Sequence, residues 1–395
     1  SQLTAHSSAD EQHRHIVILL NEVAKGGVTS VIKNTIVRLI KLGVRVSMAT
    51  MKLDHEAISP EYFQSQDVGL LIFPSELEDA SKKLITYVHE HSVNLVICLG
   101  LWDIHPLANK IKENTSAKIA NWRHMMPFYN KNLDKSKAHT SLKAFLKYYL
   151  IKLPFVYTLG YRDTLKEQNM YIIQSYDYLI VLCSEYKDEL ITALHLDETQ
   201  AKKIIPLINT IDINPNPELN KRKEIAYAGR FHNEDKRLTD LLRVWQRIAP
   251  SLPEWTLKLY GSGIDEEFLR SFAQERELQR VEFVGYTQDM QAVYDRTSII
   301  CLTSVIEGWP MMLIEAQNNG VIPISYNCAA SIASIIGKGA GKLIKDGDIA
   351  KFARELLTLA QNEDERQRLQ TACLEKRLDY APDINDDTWR TLLNL

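Results

Sequence analysis

Short apolar runs rich in β-branched residues alternate with longer amphipathic stretches along almost the whole chain, and this alternation limits the fold most. Runs of this kind predict strands in the first half of the chain at 15–20, 44–50, 69–73, 94–99, 117–121 and 178–183. An amphipathic helix is predicted over 30–42, after a loop that contains Gly26 and Gly27. Because strands that alternate with helices form parallel sheets covered on both faces, the pattern predicts an α/β, doubly wound fold.

The same pattern starts again after the Pro-containing stretch 214–217, with strands predicted at 224–228, 256–260, 281–284, 298–302 and 321–325. A chain of 395 residues suits two domains rather than one core. We therefore predict two Rossmann-like doubly wound domains facing a central cleft. They are predicted to span 15–215 and 216–378, after a disordered N-terminus (1–14) and before a C-terminal helix (379–395) that returns to the N-terminal domain.

Charge and cysteine content narrow the classes of protein. The formal net charge of −3 gives no reason to expect a nucleic-acid partner. No run approaches the ~20 apolar residues that span a bilayer, and the polar first segment lacks the apolar core of an export signal. The five cysteines are odd in number and widely spaced, which favours free thiols in a reducing compartment. A cytoplasmic location is therefore expected.

The predicted cleft would lie at the carboxyl ends of both sheets, where loops and helix N-termini converge. Helix N-termini present free N–H groups and a partial positive charge, which suit an anionic ligand. The pattern by itself indicates no more than a phosphorylated or nucleotide ligand.

The most specific signal is Glu307-Gly-Trp-Pro-Met-Met-Leu-Ile-Glu315, which follows the predicted strand 298–302. Pro310 suits the first position of a helix, because its missing N–H is not needed there. Two carboxylates then follow one strand, one in the loop and one in the helix. Its context consists of Gly229-Arg230, Lys236, Gly261-Ser-Gly263 and Gly285-Tyr286.

This set of residues resembles the E-x7-E motif and its surroundings in the family 4 retaining glycosyltransferases, which have the GT-B fold. The similarity extends over most of the chain and is closest to enzymes that build bacterial cell-surface glycans. The sequence departs from the family pattern at Arg237, where a glycine usually follows the lysine. That departure leaves the fold and the diphosphate site intact but weakens any inference about the sugar.

The resemblance implies that Arg230 and Lys236 clamp the diphosphate of a nucleotide sugar and stabilise the charge on the departing nucleotide. It implies that Glu315 binds the ribose, that Glu307 lies beside the transferred sugar, and that Gly27 approaches the β-phosphate. Arg230, Lys236 and Glu307 are thus candidate catalytic residues.

The remaining candidates follow from the same resemblance. The backbone N–H groups of Gly308 and Trp309 would touch the sugar hydroxyls, and His124 would be a further catalytic residue near sugar and acceptor. Arg123 would join His124 in binding an acidic or phosphorylated acceptor. Other donor-binding positions implied are Gly229, Gly285, Tyr286, Pro310 and Met311.

Several of these residues also have simpler interpretations. Two glutamates eight positions apart occur by chance in many helices, and Gly26-Gly27 is compatible with a simple tight turn. His124 is compatible with a purely structural role, and Arg230 with an exposed salt bridge. The acidic stretch 383–387 is expected to cap a helix. We predict no required metal or other cofactor, since the nucleotide sugar enters as a substrate.

The stretch 131–166 is rich in lysine, leucine and aromatic residues. A basic amphipathic helix can lie on an anionic membrane surface. It can equally pack its apolar face on the domain core and leave its lysines in solvent. The sequence leaves both interpretations open, and with them peripheral contact with the inner face of the cell membrane.

The resulting hypothesis is a retaining hexosyltransferase that uses a nucleotide-diphosphate sugar, expected to be a UDP-sugar. Its acceptor would be lipopolysaccharide, capsule or another cell-surface glycan, free or lipid-linked. A nucleotide-sugar epimerase or hydrolase on the same fold is the second hypothesis. A non-catalytic GT-B subunit that binds glycan is the third.

Overall fold

The computed structural model describes residues 14–24, 26–100 and 102–395. The predicted disorder of 1–14 falls outside this part of the chain except at Arg14. The strands of the first sheet are β1 His15–Val23, β2 Arg45–Leu53, β3 Gly69–Ile72, β4 Leu95–Cys98, β5 Lys118–Trp122, β6 Tyr178–Val181 and β7 Ile204–Pro206. Within the described residues this sheet has seven strands in the order β3-β2-β1-β4-β5-β6-β7.

Helices connect these strands. They are α1 Gly27–Lys41, α2 Pro60–Ser65, α3 Leu77–Glu90, α4 His105–Asn114, α5 Tyr129–Ala138, α6 Leu142–Lys147, the π-helical segment Tyr148–Thr158, α7 Thr164–Ser175, α8 Ser184–Leu194 and α9 Glu198–Lys202. The central strand β1 is buried along six consecutive residues, as expected for a parallel strand covered on both faces.

The second sheet repeats this plan. Its strands are β8 Glu224–Ala228, β9 Thr256–Tyr260, β10 Val281–Gly285, β11 Ile299–Leu302, β12 Ile322–Tyr326 and β13 Lys342–Ile344. In the described part of the chain they form a six-stranded sheet in the order β10-β9-β8-β11-β12-β13, and the pairs between them are parallel. This is the strand order of a Rossmann-like fold, so the prediction of two doubly wound α/β halves is confirmed.

The helices of the second half are α10 Asn233–Lys236, α11 Leu238–Ile248, a 3₁₀ turn Ala249–Ser251, α12 Glu266–Glu275, α13 Met290–Arg296, α14 Met311–Asn318, α15 Ala330–Ile336, α16 Ile349–Gln361, α17 Glu363–Lys376, a 3₁₀ turn Arg377–Tyr380 and α18 Asp386–Leu393. The strands β8 and β9 have the bounds that the sequence predicts. The strands β7 and β13 were not predicted, because three residues are too few to show a periodic pattern.

Strand β1 continues beyond the predicted end at residue 20. Its last residues pair with β2, where Glu22 lies opposite Lys52 and their side chains form an ion pair of 2.9 Å. Helix α1 then begins at Gly27, three residues earlier than predicted. Gly27 is therefore the first residue of a helix and not part of a longer loop.

The chain divides into two compact units. The first contains the described residues up to Trp122, together with Ser175–Ile180 and Asn385–Leu395, and the second contains Arg123–Gln174 and Val181–Ile384. Helix α18 is part of the first unit, where Arg38 Nε donates to Asp386 Oδ1 at 2.7 Å. The predicted domain limits stay a prediction. The cysteines are buried and free: Cys98, Cys183, Cys301, Cys328 and Cys373.

Candidate functional site

The carboxylate of Glu307 is the centre of the candidate site. Glu307 lies in the loop between β11 and α14 and is 8% exposed. Its Oε1 accepts a hydrogen bond from Lys236 Nζ at 2.5 Å and another from Ser304 Oγ at 2.6 Å. Two donors on one oxygen fix the orientation of the carboxylate, and the charge-assisted bond from lysine is the stronger of the two.

The backbone of the Glu307 loop is held from the other side. The N–H of Met126 donates to the carbonyl of Glu307 at 3.2 Å, and the hydroxyl of Tyr186 donates to the carbonyl of Gly308 at 2.7 Å. A side chain on Gly308 would place its Cβ only 2.3 Å from the carbonyl oxygen of His124. Only glycine therefore lets the loop lie this close to the His124 segment.

His124 lies against this loop and is partly buried. Burial lowers the pKa of its imidazole to about 4, because the charged form loses its hydration. The ring is therefore neutral near pH 7, and a neutral imidazole can both donate and accept a hydrogen bond.

Lys236 ends the short helix α10, and its position is fixed by the strand end that precedes Glu307. Thr303 Oγ1 donates to the carbonyls of Lys236 and Arg237, at 3.0 and 3.1 Å. The N–H of Val305 donates to the carbonyl of Asp235 at 2.7 Å. These bonds join α10 to the loop after β11 and bring together two charged residues that lie 71 positions apart.

Arg237, which departs from the resembled pattern, adopts the left-handed conformation with φ of 46°. This region favours glycine, so a long side chain there must be compensated by its contacts. Its guanidinium lies 3.1 Å from a carboxylate oxygen of Asp346 and 5.2 Å from the centre of the Tyr326 ring. The contacts of Arg237 thus hold the residue next to Lys236.

Arg230 follows Gly229, and the turns at Gly229 and Gly261 pack closely against each other. Gly229 and Gly261 have φ of 156° and 136°, and a Cβ on Gly261 would lie 1.8 Å from the carbonyl oxygen of Gly229. The side chain of Arg230 is 73% exposed and lies 3.7 Å from Asp235. An ion pair of this length and exposure contributes little. The guanidinium is therefore free to turn toward an anion, and the structure does not place it on Glu307.

Glu315 lies in helix α14, and its partner, Tyr294 of helix α13, was not predicted from the sequence. The hydroxyl of Tyr294 donates to Glu315 Oε2 at 2.7 Å. Burial raises the pKa of Glu315, and the bond from Tyr294 partly opposes this rise. The bond engages one carboxylate oxygen and fixes the orientation of the carboxylate.

Gly285 and Tyr286, two of the implied donor-binding positions, lie at the end of β10. Gly285 has φ of 94°, and its carbonyl accepts a hydrogen bond from the N–H of Gly261 at 2.9 Å. Tyr286 is largely exposed. The two turns that carry Arg230 and Tyr286 are thus connected through Gly261.

Arg123 is a buried cation, and among the described residues no ion pair joins it to a carboxylate. Its Nη2 donates to Asn169 Oδ1 at 3.1 Å, while its Nη1 is buried without a hydrogen-bond partner among the described residues. Burial lowers its pKa to about 10, so the guanidinium stays charged at neutral pH. A buried charge without a counter-ion is costly, and such a site suits an incoming anion.

The other candidates occupy more varied positions. Trp309 is buried and its ring lies 5.9 Å from that of Tyr380. Pro310 is the N-cap of α14 and Met311 its first residue, so the helix begins one position later than predicted. Gly27 lies in the first unit, at the start of α1.

In the part of the chain that the structure describes, no group of three or more His, Cys, Asp or Glu side chains is placed to hold a metal ion. The acidic stretch near the C-terminus instead supplies Asp386 to its bond with Arg38.

Sequence comparison finds similarity to known glycosyltransferases. Residues 209–374 match the model of the family described as glycosyl transferases group 1. An uncharacterized glycosyltransferase of Haemophilus influenzae is 29% identical over 52% of this chain and 61% of its own length. A lipopolysaccharide 1,6-galactosyltransferase of Escherichia coli is 30% identical over 45% and 50%. An amylovoran biosynthesis glycosyltransferase of Erwinia amylovora is 26% identical over 55% and 62%. The chain thus spans between 50% and 62% of the length of these curated relatives.

Structural comparison covers nearly the whole chain. TarM of S. aureus, solved with fondaparinux, α-GlcNAc-glycerol and UDP, has a TM-score of 0.74 at 13% identity, over 97% of this chain and 100% of its own. The lipopolysaccharide outer core galactosyltransferase WaaB in its apo form has a TM-score of 0.69 at 21% identity, over 96% and 99%. HepE of Anabaena with UDP has a TM-score of 0.73 at 13% identity, over 97% and 100%. The chain therefore has the GT-B fold of these proteins.

Proposed function

We propose that this protein is a retaining glycosyltransferase that transfers a hexose from a UDP-sugar to a lipopolysaccharide, capsule or other cell-surface glycan acceptor. The contact between Lys236 and Glu307, beside the His124 segment, carries the proposal. A lysine suits a diphosphate, and the neighbouring carboxylate suits the hydroxyls of a sugar. The relatives named as lipopolysaccharide and amylovoran glycosyltransferases, and the neighbours solved with UDP, support the same conclusion.

In the reaction, the bond between the anomeric carbon and the phosphate oxygen breaks, and the acceptor oxygen bonds to that carbon on the same face. The proton of the acceptor hydroxyl passes to the departing phosphate. Lys236 and Arg230 stabilise the negative charge that develops on the leaving diphosphate. Because the donor brings its own base, no side chain has to act as one, and Glu307 positions the sugar.

The remaining polar groups orient the two substrates. Glu315, fixed by Tyr294, accepts hydrogen bonds from the ribose hydroxyls. Neutral His124 binds a sugar hydroxyl and does not supply a charge. The unpaired Nη1 of Arg123 binds an anionic group of the acceptor, such as a phosphate. Because Lys236 and Arg230 supply two positive charges to the diphosphate, we propose that transfer needs no metal ion.

We propose that the acceptor is linked to a lipid and that the enzyme works at the inner face of the cell membrane. The decisive assay incubates the purified protein with UDP-sugars and a lipid-linked or lipopolysaccharide acceptor, with EDTA present. The anomeric configuration of the product, measured by NMR, tests retention. Retained activity in EDTA supports metal independence.

Variants connect the assay to the site. We expect Lys236→Ala and Glu307→Ala each to abolish transfer while the protein stays folded. Lys351→Ala is the matched control, since Lys351 forms an ion pair of 2.6 Å with Glu355 in the same unit. Wild-type turnover in the first two variants would refute the proposal. Conversion of the donor in the absence of acceptor would indicate an epimerase or hydrolase. If calorimetry detects no UDP binding, the protein is a non-catalytic subunit.

A further inference from the structure

The segment 142–161 exposes an unusual number of large apolar side chains. Eight of them are between 42% and 74% exposed: Leu142, Phe145, Leu146, Leu150, Ile151, Phe155, Leu159 and Tyr161. Helix α6 buries none of its residues, and the π-helical segment buries only Tyr148. The interpretation that this stretch packs its apolar face on the core is therefore wrong for α6 and the π-helical segment. We call the segment 142–161 the exposed segment.

The charged residues within and just before the exposed segment are basic. The sequence from 135 to 162 contains five lysines and one arginine and no aspartate or glutamate. Of the two aspartates that flank this stretch, Asp134 is engaged by Lys152 at 2.5 Å and by the hydroxyl of Tyr157, and Asp163 is buried. Lys143 and Lys147, between the apolar residues of α6, are exposed. A contiguous apolar surface with basic residues and no acidic ones is complementary to an anionic lipid surface.

The exposed segment is attached to helix α5. The contacts of Asp134 join the π-helical segment to helix α5. On the same helix, Asn132 Nδ2 donates to the carbonyls of Val305 and Cys328 at 3.0 and 2.8 Å. Helix α5 thus connects the apolar surface with the loop that carries Glu307, within one compact unit.

We propose that the exposed segment is a membrane-docking surface for anionic phospholipids. Its apolar side chains enter the boundary between headgroups and acyl chains, and its lysines contact the lipid phosphates. The contact is peripheral, since no helix in the described residues has the length and apolar character to cross a bilayer. A second copy of the chain is a poorer occupant, because it would bring the same positive charge to the interface.

The proposal rests on the proposed function only for its purpose, which is to bring the site to a membrane-linked acceptor. Docking itself is measured without turnover. The full-length protein is mixed with vesicles of phosphatidylethanolamine and phosphatidylglycerol, or of phosphatidylcholine alone, and separated by flotation. We expect binding to the anionic vesicles, weakened by salt, and little binding to the neutral ones.

Two pairs of variants test which residues dock. Leu150→Glu puts a charge in the apolar surface, and we expect it to weaken partitioning tenfold or more. Its control is Leu378→Glu, since Leu378 is 60% exposed against 64% for Leu150. Lys147→Glu should weaken binding more than fivefold, since each basic residue contributes about a fivefold factor. The exposed Lys82 of helix α3 provides the control Lys82→Glu.

The proposal is overturned if the wild type ignores anionic vesicles, or if Leu150→Glu and Lys147→Glu bind as the controls do. If light scattering shows self-association through the exposed segment and the protein does not bind vesicles, the proposal is overturned in favour of a dimer contact. Calorimetry with UDP separates the two proposals. A protein that floats with vesicles but binds no UDP refutes the transferase and leaves the docking surface standing, and the reverse result does the opposite.

Discussion

Replacement of Gly308 by alanine is the sharpest test of how the Glu307 loop is positioned. The added Cβ would lie 2.3 Å from the carbonyl oxygen of His124, 2.9 Å from its carbonyl carbon and 3.0 Å from Leu182 Cδ1. Ordinary contacts of a methyl carbon are about 3.5 Å. The loop or the His124 segment must therefore move by about 1 Å, and the nearest obstacle is backbone, which cannot turn away as a side chain can.

The surrounding bonds decide what this displacement costs. It strains the bond from Met126 to Glu307 and the bond from Tyr186 to Gly308, which hold the loop on both sides. Overpacking of this kind typically lowers the free energy of unfolding by about 1–3 kcal/mol. A reacting group misplaced by about 1 Å can lose about 10²-fold in rate. We expect Gly308→Ala to show both effects.

The assay compares kcat/KM for transfer with the denaturation midpoint, for Gly308→Ala and for the control Gly69→Ala. A Cβ on Gly69 would lie 2.5 Å from Ser47 Oγ and 2.7 Å from Tyr87 Oη, in the first unit. That clash is comparable but meets side-chain hydroxyls, so Gly69→Ala should lose stability and keep kcat/KM within about twofold. The reasoning fails if Gly308→Ala keeps its kcat/KM while folded, or if both variants lose activity equally.

Three further substitutions examine other parts of the site. Gly27→Ala should fold normally, since its Cβ would meet nothing within 4 Å, yet bind UDP-sugar at least about tenfold more weakly in calorimetry if a phosphate approaches this backbone. Tyr294→Phe should raise the already elevated pKa of Glu315, so that UDP affinity, measured against pH, is lost at a higher pH as the solution is acidified. Arg237→Gly keeps the left-handed backbone but loses the ion pair with Asp346, and we expect about a tenfold lower kcat/KM for the donor with little change in circular dichroism.

The alternation of apolar runs predicted the two sheets well, because strands buried on both faces give continuous apolar sequence. This is why the bounds of β8 and β9 agree with the prediction. The pattern failed where a strand left the covered centre of the sheet, as at the end of β1, whose Glu22 is polar and partly exposed. It failed again at β7 and β13, which are too short to carry a period.

In the site, Lys236 and Glu307 could both be recognised from the sequence, and Ser304 lies only three residues before Glu307. Tyr186 and Tyr294 could not, because they reach the site through tertiary packing and nothing in their spacing marks them. Arg237 could be noticed as a departure from a glycine, but only the structure reveals the contacts that make a left-handed arginine tolerable.

Helix α5 links the docking surface to both charged residues of the site, and the two links differ in strength. Lys137 of α5 pairs with Glu234 of α10, the helix that ends in Lys236, but both side chains are about half exposed, so this pair contributes at most ~1 kcal/mol. Asn132 instead donates two partly buried hydrogen bonds to the loops around Glu307 and Cys328. Loss of a buried amide's partners costs about 1–3 kcal/mol. Membrane contact would therefore act on the site mainly through the carbonyls of the Glu307 loop, and only weakly through the exposed charges.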